Sequence, residues 1–290
     1  MTLDPKKLSI VGHLDRCTVR LETDAGSVGT GFFYAATADG QPPGEMTPIA
    51  PLIVTNNHVL DGATGIKMVI NARTVDGSET RVGIEEPLSA LSRTRHPGGL
   101  DLTSLNMGGV LKGLERQGLT FSGTYLDASI IPTSEKLSEI EPLSDVVMVG
   151  YPNGLWDAVH NKPVFRRGVT ATHAAIPWNG NPEFLIDTAT FGGSSGSPVF
   201  AYSTGGYSDS GNFIIGGTRL FLIGVTKAVM VSNVQGEIRM VEIPTQQTPV
   251  PSIRLLNNLG VCIQVEALQT LVAETLKPKP FIPGWAGRLG

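Results

Sequence analysis

Short apolar runs rich in Val, Ile and Phe, each closed off by Gly, Pro, Asn or Asp, recur through most of this 290-residue chain. They include "CTVRLET", "GTGFFYA", "APLIVTNN", "IKMVINAR", "DVVMVGYP", "VFRRGVTAT", "PEFLIDTA", "SPVFAYS", "NFIIGG", "RLFLIGVTKAVMV" and "EIRMVEIP". Such runs are strand-sized and bounded by turn chemistry. The 35 glycines and 20 prolines suit many tight connections and few long helices. Only "VEALQTLVAETLK" predicts a helix, because Ala267, Leu268, Leu271, Val272 and Leu276 fall close to one face. The segment before it, "LLNNLGVCIQV", reads as a last strand. The pattern therefore predicts an all-β fold, sandwich or barrel, with more strands than one small barrel uses. The polar, proline-bounded stretch "IPTSEKLSEIEPLSD" (131–145) has the character of a linker. The expectation is a single domain over 1–290, built from two six-stranded-type β-barrels. The first covers about 9–134 and the second about 146–265, with a linker over about 135–145 and a closing C-terminal α-helix over about 265–277. The tail "KPKPFIPGWAGRLG" is expected to be loosely ordered.

Hydrophobic residues make up 41% and charged residues 17%, a balance that suits a globular protein and not a disordered one. A formal charge of -4 with no basic cluster gives no reason to expect nucleic acid as a partner. The longest apolar run, "FLIGVTKAVMV", is interrupted by Lys227 and falls short of a membrane span. "MTLDPKKLSIVGHLDR" has no apolar core after its lysines, so no secretory signal is expected and the cytoplasm is the expected location. Cys17 and Cys262 lie far apart without metal-like spacing. One disulfide between them is possible, but two buried free thiols are the favoured reading. No cofactor or metal is expected.

The chemistry concentrates in "FGGSSGSPVF" (191–200). A serine hydroxyl needs a neighbouring base to become a nucleophile, usually a His held by a carboxylate. Read as G-x-S-x-G, the stretch makes Ser194 the nucleophile of an α/β-hydrolase elbow, whose histidine follows the serine. The five histidines (His13, His58, His96, His160 and His173) all precede Ser194, and alternating helices are lacking, so that reading fails. Read as G-x-S-G-[GS]-P, it makes Ser195 the nucleophile, and Gly193 turns its N–H inward beside that of Ser195 as an oxyanion hole. This order needs base and carboxylate upstream, and "LIVTNNHVLDGA" supplies His58 while "GGLDLTSLNM" supplies Asp101 before an apolar strand.

"GTGFFY", then "VTNNHVLDGA", then "GGSSGSPVF" resemble a bacterial trypsin-like serine peptidase of the chymotrypsin-fold clan, near its HtrA and glutamyl-endopeptidase branches. The resemblance spans most of residues 9–276. It implies a chymotrypsin-like pair of barrels, peptide or protein substrates and a serine endopeptidase activity without cofactor. It further implies His58 as general base, Asp101 as its orienting carboxylate and Ser195 as acyl carrier, with Gly193 and Ser195 forming the oxyanion hole.

Several positions depart from the animal members of that clan. Val59 and Phe191 stand where those carry cysteines. "SIVG" (9–12) mimics an activation terminus, but Ser194 occupies the acidic position that would receive the ammonium, so no activation by N-terminal insertion is expected. The pocket-floor position is Ala189, with Lys227, Ala228 and Val229 nearby. A small or apolar P1 side chain is favoured; Lys227 and His173 are the two features pointing to an acidic one. The resemblance leaves Thr226 to brace Asp101 only with a one-residue register shift. "AYSTGGYSDSGNFIIGG" is expected to form a mobile rim loop, and no peptide-binding PDZ domain fits after Val265. The alternatives are a catalytically silent scaffold with the same fold and a narrow processing protease acting on one partner. The oligomeric state is not legible in the sequence.

Overall fold

A computed structural model describes residues 9–44, 47–209, 212–234 and 253–277. The expected strand "EIRMVEIP" (237–244) and the tail beyond Lys277 lie outside the described residues. The first half forms β1 (Thr18–Thr23), β2 (Val28–Thr37), β3 (Ile49–Thr55), β4 (Gly65–Arg73), β5 (Glu79–Pro87), β6 (Thr94–Arg95), β7 (Thr103–Asn106) and β8 (Thr120–Phe121). These make an eight-stranded sheet in the order β5-β4-β1-β2-β3-β7-β6, with β8 paired to β4. Two of the eight, β6 and β8, are only two residues long.

The second half forms β9 (Asp145–Gly150), β10 (Val164–Thr170), β11 (Glu183–Asp187), β12 (Pro198–Asp209), β13 (Asn212–Val234) and β14 (Ile253–Gln264). They close into a barrel in the order β10-β11-β14-β13-β12-β9. The fold is all-β and chymotrypsin-like, as the sequence predicts. The short helix α3 (Ser134–Ser138), capped by the Thr133 hydroxyl, lies in the stretch between the two halves.

Strand β2 explains how the halves hold together. It runs between β1 and β3, and Phe32, Phe33, Tyr34, Ala35 and Ala36 are all buried. Side chains alternate across a strand. Phe33 thus joins Val19, Ile53 and Leu105 in the core of the first sheet. Phe32 and Tyr34 face the other way, into a core shared with Met148, Phe200, Val225 and Cys262 of the second barrel. A side chain of this kind contributes roughly 1.5–3 kcal/mol when it leaves water. The terminal helix α4 (Val265–Leu276) follows β14 directly and buries Val265, Ala267, Leu268, Leu271 and Val272 against that shared core. Its Thr275 hydroxyl bonds Ser104 of β7 at 2.8 Å, tying the helix to the first half as well.

Three elements differ from the sequence expectation for identifiable reasons. The helix α2 (Gly108–Arg116) begins on two glycines that hide its apolar stripe, although Val110 and Leu114 are buried. Strand β5 alternates exposed and half-buried positions because it is a sheet edge, so it carries no apolar run. The expected mobile loop after the serine is instead a long antiparallel hairpin. Thr204 pairs with Thr218, Tyr207 with Ile214 and Asp209 with Asn212. The glycines there sit at a register shift between Thr204 and Gly206, where an irregularity bends the ladder instead of ending it.

The segment read as an activation-terminus mimic is the single-turn helix α1 (Ile10–Leu14), with the Ser9 hydroxyl accepting from the Gly12 amide. Ile10 and Val11 are each 40% exposed, so neither is inserted. Cys17 and Cys262 are free and buried. Desolvation pushes the Cys17 thiol well above its usual range and that of Cys262 up to about 12. The folded protein is therefore expected to take up no thiol-specific alkylating reagent at neutral pH, and two equivalents once unfolded. Rapid native modification of either cysteine, read by intact mass, would contradict this packing.

Candidate active site

His58 follows β3 in a turn that leaves its ring exposed, while Val59 and Leu60 beside it are buried in the first core. Asp101 precedes β7. The amide of Leu102 donates to the Leu100 carbonyl at 2.7 Å, a three-residue turn with Asp101 at its apex. The Asp101 carboxylate meets His58 twice: Oδ2 lies 2.5 Å from the ring Nδ1, and Oδ1 accepts from the His58 amide at 3.0 Å. Burial pushes the Asp101 pKa up, but the hydrogen bonds from the His58 ring, the His58 amide and the Asn57 amide, with His58 charge attraction, win and hold it below 3.8. A carboxylate that is ionised can only accept, so Nδ1 carries the proton and Nε2 is left as the basic nitrogen.

Ser195 sits between two tight turns. The Ser194 amide donates to the Phe191 carbonyl at 3.1 Å, and the Ser197 amide to the Ser194 carbonyl at 3.0 Å. Each turn has a glycine in the left-handed region, Gly193 at φ 83° and Gly196 at φ 85°. A Cβ on Gly193 would lie 2.5 Å from the Tyr151 carbonyl oxygen, and one on Gly196 only 2.0 Å from that of Thr30. Only glycine fits either place. The Gly192 carbonyl accepts from the Asn153 amide at 2.5 Å. In a trans peptide the N–H opposes the carbonyl, so the Gly193 N–H points away from Asn153. Among the described residues, neither the Gly193 nor the Ser195 amide has a backbone acceptor.

His58, Asp101 and Ser195 line one cavity of about 360 Å³, whose other walls are Thr190, Phe191, Gly192, Thr226, Lys227, Ala228 and Val229. The Ser195 hydroxyl donates to the Lys227 carbonyl at 3.4 Å, a long bond. Lys227 carries its ammonium to Glu183 of β11, 2.7 Å away. Ala189 and His173 are not among the lining residues, and the His173 Nδ1 accepts from the Ala175 amide at 3.2 Å. Thr226 is buried with its hydroxyl 3.2 Å from the Met148 sulfur, so it does not brace Asp101. Side chains that the motifs gave no reason to single out hold the backbone around Asp101 instead: Asn56 and Asn57 donate to its carbonyls, and Arg93 donates to Asn57. The asparagines' partners are backbone carbonyls, so the sequence carried no signal for these contacts. Among the described residues, no cluster of His, Cys, Asp and Glu could hold a metal ion.

His58 and Asp101 of the first β unit and Ser195 of the second thus line one crevice, with His58 hydrogen-bonded to Asp101 and, among the described residues, no hydrogen bond joining His58 to Ser195. The family model of the trypsin-like peptidase domain matches residues 29–206, more than half of the chain, and the chain belongs to that family. No curated protein sequence matches the chain. Among solved structures, Rv3671c from M. tuberculosis, in the inactive form of a serine-to-alanine mutant, aligns at 13% identity over 95% of each chain with a TM-score of 0.47. The HtrA-type protease AlgW with a decapeptide aligns at 15% identity over 92% of this chain and 66% of its own, with a TM-score of 0.42. An inactivated protease paralogue of the scabies mite aligns at 12% identity, over 92% of this chain and 96% of its own, with a TM-score of 0.44.

Two outcomes test this geometry. Because the Asp101 pKa is lower folded than unfolded, its stabilising effect is full at neutral pH and disappears as pH falls through the folded-state value, below 3.8. Asp101→Asn should lower stability at pH 7 and flatten the acid limb of the denaturation profile; an unchanged acid limb would contradict the pairing. Gly196→Ala should cost about 1–3 kcal/mol or more, read by denaturant unfolding, since it combines backbone strain with the close Thr30 oxygen. A wild-type midpoint would show that the turn is not constrained.

Proposed function

We propose that the chain is a serine endopeptidase acting through an acyl-enzyme. The observation that carries this reading is the His58–Asp101 contact at 2.5 Å in the cavity that Ser195 also lines. With Nδ1 committed to the carboxylate, His58 Nε2 accepts the Ser195 proton as the hydroxyl attacks the scissile carbonyl. The long bond to the Lys227 carbonyl is given up when the Ser195 hydroxyl turns towards the imidazole, in keeping with the looser geometry of substrate-free active sites. The carbonyl oxygen, now negative, takes the Gly193 and Ser195 amides, which have no backbone acceptor among the described residues. The imidazolium, stabilised by Asp101, then protonates the leaving amine. Water reverses the sequence and frees Ser195 with release of the acid product.

For the P1 side chain we infer a small or apolar residue. Phe191, Ala228 and Val229 supply apolar lining, and the Lys227 ammonium already has a carboxylate partner in Glu183. His173 has its Nδ1 engaged and does not line the cavity. An acidic P1 therefore finds no uncompensated cation among the lining residues. A fluorophosphonate probe is expected to add once, at Ser195, and Ser195→Ala to abolish that addition. Cleavage of a peptide library is expected to favour aliphatic P1 residues. Absence of Ser195-dependent labelling would favour a catalytically silent scaffold, and preferred cleavage after Glu or Asp would overturn the P1 assignment.

A further inference from the structure

Asn56 and Asn57 stand immediately before His58, and between them their side chains engage three consecutive carbonyls around Asp101. The Asn56 Nδ2 donates to the Asp101 carbonyl at 2.7 Å. The Asn57 Nδ2 donates to both neighbours, Leu100 at 3.1 Å and Leu102 at 3.2 Å. Because a carbonyl can only accept, these contacts fix which end of each amide faces the turn. The other end of Asn57 is fixed too: its Oδ1 accepts from Arg93 at 3.0 Å. Arg93 reaches the Asn57 carbonyl at 3.2 Å and the Thr103 hydroxyl at 3.3 Å, which closes a ring between the histidine turn and β7.

We propose that Asn56 and Asn57 are positioning residues that set the Asp101 carboxylate against His58, a role that rests on the peptidase reading above. The three-residue turn at Asp101 has a single backbone bond across it. Such a turn has little rigidity of its own. The carboxylate must present one oxygen to a ring nitrogen and the other to an amide at once, which tolerates little rotation. Holding the carbonyls on either side of Asp101, and its own, removes that rotation. The holding groups come from the two residues before His58, so histidine and carboxylate move as one body. Asn56 carries a further mark of this role. It is fully buried, yet its Oδ1 has no protein partner. A buried acceptor left in this way disfavours folding, and the amide's remaining contact is the one to Asp101.

The test compares three variants of the half-buried Asn57, each studied below its own unfolding temperature. Asn57→Ala removes the donor, Asn57→Asp keeps the size but sets an acceptor against two carbonyl oxygens, and Asn57→Gln keeps a donating amide. The expected result is a fall in kcat of about 10²-fold for Ala and Asp, with KM changed far less, since a small misplacement of catalytic groups costs that much. Gln is expected to recover part of the loss. The far-downfield proton resonance of the His58 Nδ1–H is expected to broaden or vanish in Ala and Asp and to persist in Gln. Should Asn57→Ala not fold, Asn57→Asp alone decides. Wild-type kcat in Ala and Asp, or a fall in kcat with the downfield resonance unaltered, would overturn the proposal. The resonance needs no turnover, so a failure of the clamp is told apart from a failure of the peptidase reading, which the probe reports on wild-type protein.

Discussion

Thr30 is the residue on which the geometry of the crevice depends. Its amide donates to the Ser195 carbonyl at 2.8 Å, and its hydroxyl donates to the Gly193 carbonyl at 2.9 Å. The same hydroxyl accepts from the Tyr151 amide at 3.1 Å, and the Thr30 carbonyl accepts from the Thr55 hydroxyl at 2.7 Å. One fully buried residue of β2 thus holds the serine turn of the second barrel, the end of β9 and the end of β3, the strand that leads into His58. With the Gly193 carbonyl fastened by Thr30 and the Gly192 carbonyl fastened by Asn153, both peptides that frame the Gly193 N–H are set. The site is therefore a property of the junction and not of either half.

Electrostatics at the junction follow from the same packing. Asp101 is partly shielded from water, which by itself would raise its pKa, yet three donors from residues 57 and 58 reverse that tendency. Lys227 offers a cation to the same cavity and has it balanced by Glu183. The result is a pocket whose one carboxylate is committed to His58 and whose one ammonium is committed to Glu183. Such a site suits the development of negative charge at two amides better than the binding of a charged side chain.

Much of this was legible in the chain. The strand-sized runs gave the all-β architecture, and α4 lies at 265–276 where the apolar face over 265–277 predicted it. The order of "TNNH", "GLDL" and "GGSSGSP" pointed to the three residues that line one cavity. What sequence periodicity missed has physical causes. An edge strand such as β5 has no buried face to advertise, and a helix that opens on Gly108 and Gly109 resembles a turn. The hairpin of β12 and β13 looked like a loop because its glycines serve a register shift within a continuing ladder. The Asn56 and Asn57 contacts were invisible for a deeper reason: their partners are backbone carbonyls, which every residue type supplies, so no motif marks them. Ala189 and His173, placed by resemblance at the pocket, do not line it: both fall outside the strands, His173 after the end of β10 and Ala189 after the end of β11.

Acylation of Ser195 with His58 as its base is the step on which the proposed activity turns. Wild-type protein mixed with a p-nitrophenyl ester and quenched within the first turnover measures this. The prediction is a burst of p-nitrophenol equal to the enzyme concentration, with the acyl group found on the peptide containing Ser195 and the burst abolished in His58→Ala. Ester hydrolysis with no burst, or an acyl group on lysine instead, would contradict it.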